Sequence, residues 1–412
     1  MKNTKNSHLS LILILGAMTA LSPFSIDMYL SAFPMMAQYF DTSVAQVSIT
    51  LSSYFIGIAS GQLFYGPLMD RFGRKKPLYV GLSIFALASI GCGLSTKIEW
   101  LIAMRFIQAV GGCAASVGAF AMVRDLFEPK ESARVFSSLI LILGISPLLA
   151  PTVGGYLSIY FGWSSVFYVL SLIAAVMLVV VIRYLPESHK ADPRHVLHPI
   201  PILKNYFSIL SEPQFYTYAI AGAIGFSGLF VYLAASPTIF MEIFGINEQT
   251  YGWIFAFIAM GMIGSSQFNV YLLKTYSNEQ IFLYSLLMLA LTSTVFFLCG
   301  YFEIYNVYGV VITMFVYLSC MGLSNPNSAA LAMAPFGSKA GSAAALLGFL
   351  QMAMGAFASI CVGIFKAEAL VPLGVIFMTT SFLAVAILLV GRKRIFRQIE
   401  VKETGDEFSV PH

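Results

Sequence analysis

Charged side chains are scarce in this sequence. They make up 10% of its 412 residues, whereas hydrophobic residues make up 58%. A soluble domain typically carries about 25% charged residues. No soluble core of a chain this long could bury so much apolar surface, so the composition excludes an ordinary water-soluble protein.

The apolar part of the chain also lacks groups for enzyme chemistry. All five histidines lie near the termini or in one central polar segment, and the five cysteines show neither paired nor metal-type spacing. No phosphate-binding loop of a nucleotide-driven pump is present. We therefore expect no enzyme activity, no metal site, no cofactor and free thiols.

Twelve apolar runs are long enough to cross about 30 Å of hydrocarbon. They predict an all-α membrane protein with twelve transmembrane helices. The runs lie near residues 9–33, 44–69, 77–95, 99–122, 134–159, 163–184, 215–240, 250–272, 280–299, 307–332, 341–364 and 371–391.

Lys and Arg are concentrated in alternate connections between these runs. One side of the membrane holds nearly all of them, and the other side holds only Lys97 and Lys366. The positive-inside rule then predicts that both termini lie in the cytoplasm. The longest polar connection divides the spans six and six. The predicted organisation is an N-terminal six-helix half at 1–185, a cytoplasmic linker at 186–213, a C-terminal six-helix half at 214–391 and a cytoplasmic tail at 392–412.

The connection between the second and third runs reads "GPLMDRFGRKKP", residues 66 to 77. Its order of Gly, Asp-Arg, Gly-Arg and basic residues resembles the signature loop of the major facilitator superfamily. An ordinary positive-inside loop would account only for the basic residues. "RFIQAVGGCAAS" at 105–116 resembles that family's fourth span. "GISPLLAPTVGGYL" at 144–157 resembles its fifth-span antiporter pattern, with Ala150 in place of the usual Gly.

Two further segments, "DMYLSAFP" at 27–34 and "NPNSAALAMAPFGSKAGSAAALLGFLQM" at 325–352, extend the resemblance to both halves. The second resembles spans ten and eleven of the Bcr/CflA drug-resistance group. The resemblance implies the major facilitator fold, with two six-helix halves around a central cavity.

The resemblance also implies a conformational latch at the cytoplasmic face. Asp70, Arg74 and Asp125 would form a charge cluster, with Asp70 facing the start of span eleven, where a helix N-terminus favours negative charge. Gly66 is expected to permit close packing where the second span ends. A solvated loop is the alternative. The predicted latch residues are Gly66, Asp70, Arg71, Gly73, Arg74, Arg124 and Asp125.

Small residues and prolines recur every three or four positions in the fifth span, so they share one helix face. Small residues let helices approach closely, and the prolines bend the span. This antiporter-type segment comprises Gly144, Pro147, Pro151, Gly154 and Gly155. A second stripe, Gly341, Gly348 and Gly355, lies in span eleven.

Asp27 is the one acid clearly inside an apolar run, and Arg105 is the one cation. Counting 1.5 Å per helical residue places them roughly 10 Å and 9 Å below the outer ends of their helices, at similar depth. In one interpretation they form a static ion pair. In the other, Asp27 binds and releases the coupling proton, because burial favours the neutral carboxyl and a guanidinium favours the carboxylate. We favour the second, since intramembrane ionisable groups mark ion or substrate pathways.

A substrate cavity is expected near the midplane between the halves. Candidate lining residues are Tyr29, Tyr54, Phe120, Tyr232, Asn325, Asn327, Gln351 and Met352. We predict a proton-driven exporter of small amphipathic compounds in the bacterial inner membrane, acting as a monomer and binding no nucleic acid. The alternatives are an exporter of an endogenous metabolite or siderophore-like chelator, and a nutrient-proton symporter.

Overall fold

The computed structural model describes residues 2–127, 129–189, 191, 199–336, 340–364 and 369–406. Twelve helical segments within these residues are long and apolar enough to cross a membrane, which confirms the predicted all-α fold and number of spans. Most boundaries agree with the predicted ranges. The predicted fifth run, 134–159, lies within a helix that spans Pro129–Phe161.

The helices of the first half are α1 (Lys2–Asp27), α2 (Phe33–Tyr39), α3 (Val44–Phe72), α4 (Lys75–Gly93), α5 (Ile98–Leu126), α6 (Pro129–Phe161) and α7 (Ser164–Tyr184). The linker contains α8 (Pro199–Leu210). The second half consists of α9 (Pro213–Pro237), α10 (Glu248–Leu272), α11 (Asn278–Tyr301), α12 (Val307–Met333), α13 (Ala340–Ile364) and α14 (Leu370–Asp406).

The first span of each half is irregular. α1 ends at Asp27, and a 3₁₀ turn at Leu30–Ala32 leads into α2, so one membrane segment is built from two helices. In the second half α9 continues into a π-helical turn at Thr238–Ile243. Breaks of this kind bring polar groups and helix ends into the membrane interior.

Polar side chains at the span boundaries satisfy the free backbone amides of helix starts. Ser43, Asn247 and Asn306 each accept a hydrogen bond from an amide three residues later. Ser277 does the same for α11 and forms a reciprocal capping box with Gln280. These caps explain why the spans begin where short polar connections interrupt the apolar runs.

Small residues set the distance between helices inside each half. α3 packs against α5, and α5 against α4. A methyl group at Gly57 would stand 2.6 Å from the carbonyl oxygen of Phe106, so only glycine permits this approach of α3 to α5. In the second half α9 packs against α12, α13 and α14.

The halves meet along two helix pairs, α3 with α13 and α6 with α10. We call the end of the bundle that carries residues 73–74 and α8 the linker end, and the other the far end. Near the far end, Ser52 Oγ donates a hydrogen bond to Ser359 Oγ at 2.7 Å. The rings of Phe55 and Phe230 also contact each other there, with centroids 4.5 Å apart.

The predicted role of Gly66 is wrong. α3 does not end at Gly66 and Pro67 but continues to Phe72, and Gly73, with φ of 81°, ends it. A methyl group at Gly66 would have no neighbour within 4 Å. The residue therefore provides open space rather than close packing.

Candidate transport site

A cavity of about 920 Å³ lies between the halves and reaches from the bundle interior to the linker end. Its inner part is lined by small, hydroxyl and apolar side chains, and its outer part by Asp70, Arg74, Arg124 and Asp125. Its lining includes Thr19, Ser22, Pro23, Ile26, Ile58, Gln62, Gly66, Pro67, Ser116, Val117, Phe120, Ala121, Leu143, Asn205, Tyr206, Gly341, Ser342, Ala344, Ala345, Gly348 and Met352.

Close contacts between the halves occlude the far end. A methyl group at Gly252 of α10 would stand 2.9 Å from Thr152 Oγ1 of α6. A methyl group at Gly363 of α13 would stand 3.1 Å from the carbonyl oxygen of Ala45 on α3. The structure therefore has its cavity open to the linker end and packed shut at the far end.

Asp27 is buried, with 4% of its surface exposed. It follows Ile26 of the cavity lining directly in the chain. Among the residues that the structure describes, its carboxyl group makes no ion pair and no hydrogen bond. It stands as the last residue of α1, where the helix dipole already places partial negative charge.

The predicted ion pair between Asp27 and Arg105 is wrong in this structure. The Arg105 guanidinium donates to the hydroxyl of Ser25 at 2.9 Å and to its carbonyl oxygen at 3.2 Å. Residues two apart on a helix do not face the same way. Arg105 therefore holds the face of α1 that carries Ser25, and Asp27 points elsewhere although the two charges lie at similar depth.

Arg105 occupies an aromatic cage inside the first half. Its guanidinium carbon lies 4.2 Å from the ring centre of Tyr29 and 4.1 Å from that of Tyr54. It also donates to Gln108 Oε1 at 2.6 Å, and Gln108 in turn donates to Ser89. Arg105 is 0% exposed. Hydrogen bonds and ring faces together compensate the loss of hydration of this cation.

The end of the first span that carries Asp27 lies against the second half. The 3₁₀ turn that follows Asp27 packs against α9 and α10, the helices that carry Tyr232 and Tyr251. The Tyr251 hydroxyl hydrogen-bonds Ser236 Oγ at 2.8 Å, while the buried Tyr232 hydroxyl makes no hydrogen bond to a described residue. The turn that follows Asp27 therefore packs against the opposite half.

The predicted charge cluster is present at the linker end. Arg74 Nη1 donates to Asp70 Oδ1 at 2.6 Å, and Arg74 Nε donates to Asp125 Oδ2 at 2.8 Å. Burial opposes the charge of Arg74, but the hydrogen bonds to Asp125 and Asp70 outweigh it and raise the pKa of Arg74. All three residues belong to the first half. Asp70 lines the same cavity as Gly341 and Ser342 near the start of α13.

Two residues after α7 join this cluster, and the sequence analysis misses them. Glu187 accepts hydrogen bonds from the backbone amides of Arg74 at 2.8 Å and Lys75 at 3.2 Å, which caps α4. Ser188 Oγ donates to Asp125 Oδ2 at 2.9 Å. The sequence does contain a signal for this contact, because Glu187 directly follows Pro186. A carboxylate in a connection near basic residues can form an ion pair or cap a helix N-terminus.

The other predicted latch residues have different surroundings. Arg71 lies with its guanidinium carbon 5.5 Å from the ring centre of Phe72. Arg124 is exposed and lines the cavity mouth, and Gly66 lines its wall.

The glycines of α6 permit contact with both halves. A methyl group at Gly154 would collide with the backbone carbonyl of Met28, just after Asp27, and one at Gly155 would stand 3.3 Å from the carbonyl oxygen of Glu248 in α10. Gly144 lies against Ile263 of α10. Pro147 and Pro151 lie inside the helix. The predicted packing role of this segment agrees with these contacts.

The cavity candidates separate into three groups. Phe120 and Met352 line the cavity. The predictions for Tyr29 and Tyr54 are wrong, because their rings cover Arg105. Tyr232 is buried and is not part of the lining.

Three amides pair with other side chains. Gln351 Nε2 donates to Asn325 Oδ1 at 2.8 Å between α13 and α12. The prediction for Asn327 is wrong, because it is buried and donates to Asn269 of α10 at 2.7 Å. Sequence reasoning misses Ser22 and Gln62, which do line the cavity. Polar side chains within the membrane form hydrogen bonds to each other across helices. Residue type alone therefore does not distinguish amides that line a cavity from amides that stabilise helix packing.

A bundle of twelve membrane-spanning helices in two halves, with a cavity between them open to one end, is the architecture of a secondary transporter. The sequence profile described as the Major Facilitator Superfamily matches residues 15–359. The chain belongs to this superfamily and is an integral membrane transporter of small molecules rather than an enzyme.

Relatives of the chain include proteins named for drug resistance. It is 31% identical over 379 residues to the "Bicyclomycin resistance protein homolog" of Haemophilus influenzae, covering 90% of this chain and 93% of that protein. It is 30% identical over 342 residues to the "Multidrug resistance protein MdtL" of Escherichia coli O139:H28, covering 82% and 84%. These relatives confirm the resemblance to the Bcr/CflA-type drug-resistance group.

A protein of Bacillus subtilis (strain 168) called "Uncharacterized MFS-type transporter YdgK" is 31% identical over 384 residues, covering 92% of this chain and 94% of that protein. Among solved structures, a D-xylose-proton symporter superposes with a TM-score of 0.72 at 14% identity, covering 91% of this chain and 97% of that one. At this identity the superposition supports the fold alone.

Proposed function

We propose that this transporter exports small amphipathic compounds, antibiotics among them, in exchange for protons. The observation that carries the proposal is the isolation of Asp27. A buried carboxylate without a counter-ion or hydrogen bond is costly in a membrane interior. Binding a proton removes that cost, so Asp27 is a suitable carrier of the coupling ion.

The cavity supports the choice of solute. Its inner lining, from Ser22 to Met352, contains hydroxyl, amide, aromatic and thioether groups but no ionised side chain among the described residues. A multiply anionic solute would have to leave water without a partner there. The names of the drug-resistance relatives point to the same class of solute.

The direction of transport follows from the predicted orientation. Both termini and the linker end lie in the cytoplasm of a bacterial cell, and the cavity collects solute from the cytoplasm or the inner leaflet. Protons entering from outside then reload Asp27 and drive the return of the empty carrier. We propose that the monomer is the working unit, since each half supplies one wall of the cavity.

The test uses proteoliposomes with an imposed pH gradient and the Asp27→Asn variant. Asn keeps the shape of the side chain and removes its proton. We expect wild type to accumulate a neutral amphenicol-like compound against its gradient, while Asp27→Asn only equilibrates it. Asp41→Asn, which changes an exposed acid at the far end, is the matched control and should behave as wild type.

Undiminished accumulation by Asp27→Asn would refute the role of Asp27. A lipophilic cation and a tricarboxylate are measured in parallel. Proton-dependent transport of the tricarboxylate alone would replace drug export by export of an anionic metabolite or chelator.

A further inference from the structure

The break in the first span after Asp27 is held against α6 at two points. In the 3₁₀ turn that follows Asp27, Ser31 is 1% exposed, and its Oγ donates a hydrogen bond to the carbonyl oxygen of Pro151 at 2.7 Å. Just before the turn, the backbone carbonyl of Met28 lies against Gly154, where any side chain would collide with it. The backbone that leaves Asp27 is therefore fixed to α6 rather than to α1.

The hydroxyl of Ser31 is the one polar side-chain group in this turn, which otherwise consists of Leu30 and Ala32. No neighbouring side chain can replace its hydrogen bond to α6. Pro147 and Pro151 both lie inside α6. A proline has no N–H to donate, so two successive turns of α6 each lack a helical hydrogen bond, and the helix bends more readily there. Ser31 therefore attaches the turn to the weakest part of α6.

The same segment of α6 forms part of the contact between the halves. Gly155 lies one helical turn after Pro151. A methyl group at Gly155 would stand 3.3 Å from the carbonyl oxygen of Glu248 in α10 and 3.7 Å from Cβ of Ser31. The turn itself also packs against α10. A shift of α10 against α6 therefore acts on a segment that is hydrogen-bonded to the turn after Asp27.

We propose that Ser31 is a positioning residue of the coupling site. Its hydroxyl keeps the turn attached to α6, so that the movement that opens the contact between α6 and α10 also moves Asp27. The proposal rests on the proposed proton exchange through Asp27, because a coupling group must differ in free energy between the two states of the carrier. Without the hydrogen bond, α6 bends while the turn stays behind, and solute crosses with less effect on the proton.

Two assays on the same proteoliposomes separate coupling from folding. Accumulation of the neutral amphenicol-like compound under an imposed pH gradient requires proton exchange. Counterflow, the exchange of labelled for unlabelled compound without a gradient, requires only a folded carrier that binds the compound and alternates between its two states.

The variants differ in whether they keep the hydroxyl group. Ser31→Ala removes it, and Ser31→Thr retains it. Ser171→Ala is the matched control, because it removes another buried hydroxyl that joins two helices of the first half. Ser171 Oγ donates to the carbonyl oxygen of Ala86 at 2.9 Å, between α7 and α4.

We expect Ser31→Ala to accumulate the compound at least about three-fold less than wild type, the factor that an average hydrogen bond between membrane helices represents, and to keep wild-type counterflow. Ser31→Thr and Ser171→Ala should match wild type in both assays. Equal losses of accumulation and counterflow in Ser31→Ala would reduce the hydrogen bond to a packing contact and overturn the proposal. Undiminished accumulation by Ser31→Ala would overturn it as well, and so would a loss in Ser31→Thr as large as that in Ser31→Ala.

Failure of the proposed function has a separate signature. Wild type that shows counterflow but no gradient-driven accumulation, or Asp27→Asn that accumulates the compound as wild type does, would refute proton exchange through Asp27 and this proposal with it. Neither of these results depends on the Ser31 variants.

Discussion

Replacing Arg105 with lysine tests whether the aromatic cage is built for a planar cation. Lysine keeps the charge but loses the fork that reaches both Ser25 and Gln108, and its ammonium cannot stack flat between two rings. Arg105 makes three hydrogen bonds through its two terminal nitrogens. A hydrogen bond to a charged group contributes about 1.5–3 kcal/mol, whereas side-chain hydrogen bonds between membrane helices average nearer 0.6 kcal/mol.

If lysine loses two of the three, these limits bracket the cost at roughly 1–6 kcal/mol, and we expect about 3 kcal/mol. Unfolding of the purified protein in mixed micelles, followed by helical circular dichroism against denaturant, measures this difference. Arg183→Lys is the control, because Arg183 is exposed at the end of α7 and should change stability by less than about 0.5 kcal/mol. Equal stability of Arg105→Lys and Arg183→Lys would refute the cage as a structural requirement.

Two further predictions concern packing and the latch. Gly154→Ala should destabilise the protein by roughly 1–3 kcal/mol, because the added methyl group would meet the backbone of Met28. The control Gly66→Ala adds its methyl group to open space and should leave the stability unchanged. Equal unfolding midpoints for the two variants would contradict the argument. Asp70→Asn should favour the state packed at the far end. A cysteine pair introduced by Ser52→Cys and Ser359→Cys should then cross-link faster in the Asp70→Asn variant than in the wild-type background or in the control variant Asp41→Asn. An unchanged cross-linking rate together with normal transport would count against the latch. Because the pKa of Arg74 is raised, its contribution to stability is complete below its unfolded pKa and lost only in strongly alkaline solution. In an Asp27→Asn background, which removes the proposed coupling proton, cross-linking corrected for thiolate fraction should therefore be flat between about pH 6 and 9.

The sequence predicts features that depend on length and composition. Twelve spans follow from apolar runs because the thickness of the bilayer fixes a length for each. The cluster of Asp70, Arg74 and Asp125 could be predicted from its motif. The depth of a residue along its helix can also be predicted from the sequence by counting residues. Asp27 and Arg105 do lie deep within their spans.

The depth of a residue in the membrane does not reveal the direction in which its side chain points around the helix axis. Arg105 meets Ser25 rather than Asp27, and that choice depends on how α1 is rotated against α5. The same limit explains why Tyr29 and Tyr54 are misplaced in the predicted cavity and why Asn327 pairs with Asn269. Glu187 and α8 were missed because their hydrogen-bond partners, Arg74 and Ser342, are far away in the chain and are brought close only by the fold.

The separation of the two intramembrane charges has a consequence for coupling. Among the described residues, every group that contacts Arg105 belongs to the first half, including Ser25, Gln108 and the rings of Tyr29 and Tyr54. Rocking of one half against the other would leave that cage intact. The turn just after Asp27 instead packs against α9 and α10 of the second half, so the same motion would change the surroundings of Asp27. A coupling group must differ in free energy between the two states of the carrier. In the proposed mechanism, proton affinity therefore alternates at Asp27, while Arg105 keeps α1 and α5 in fixed register.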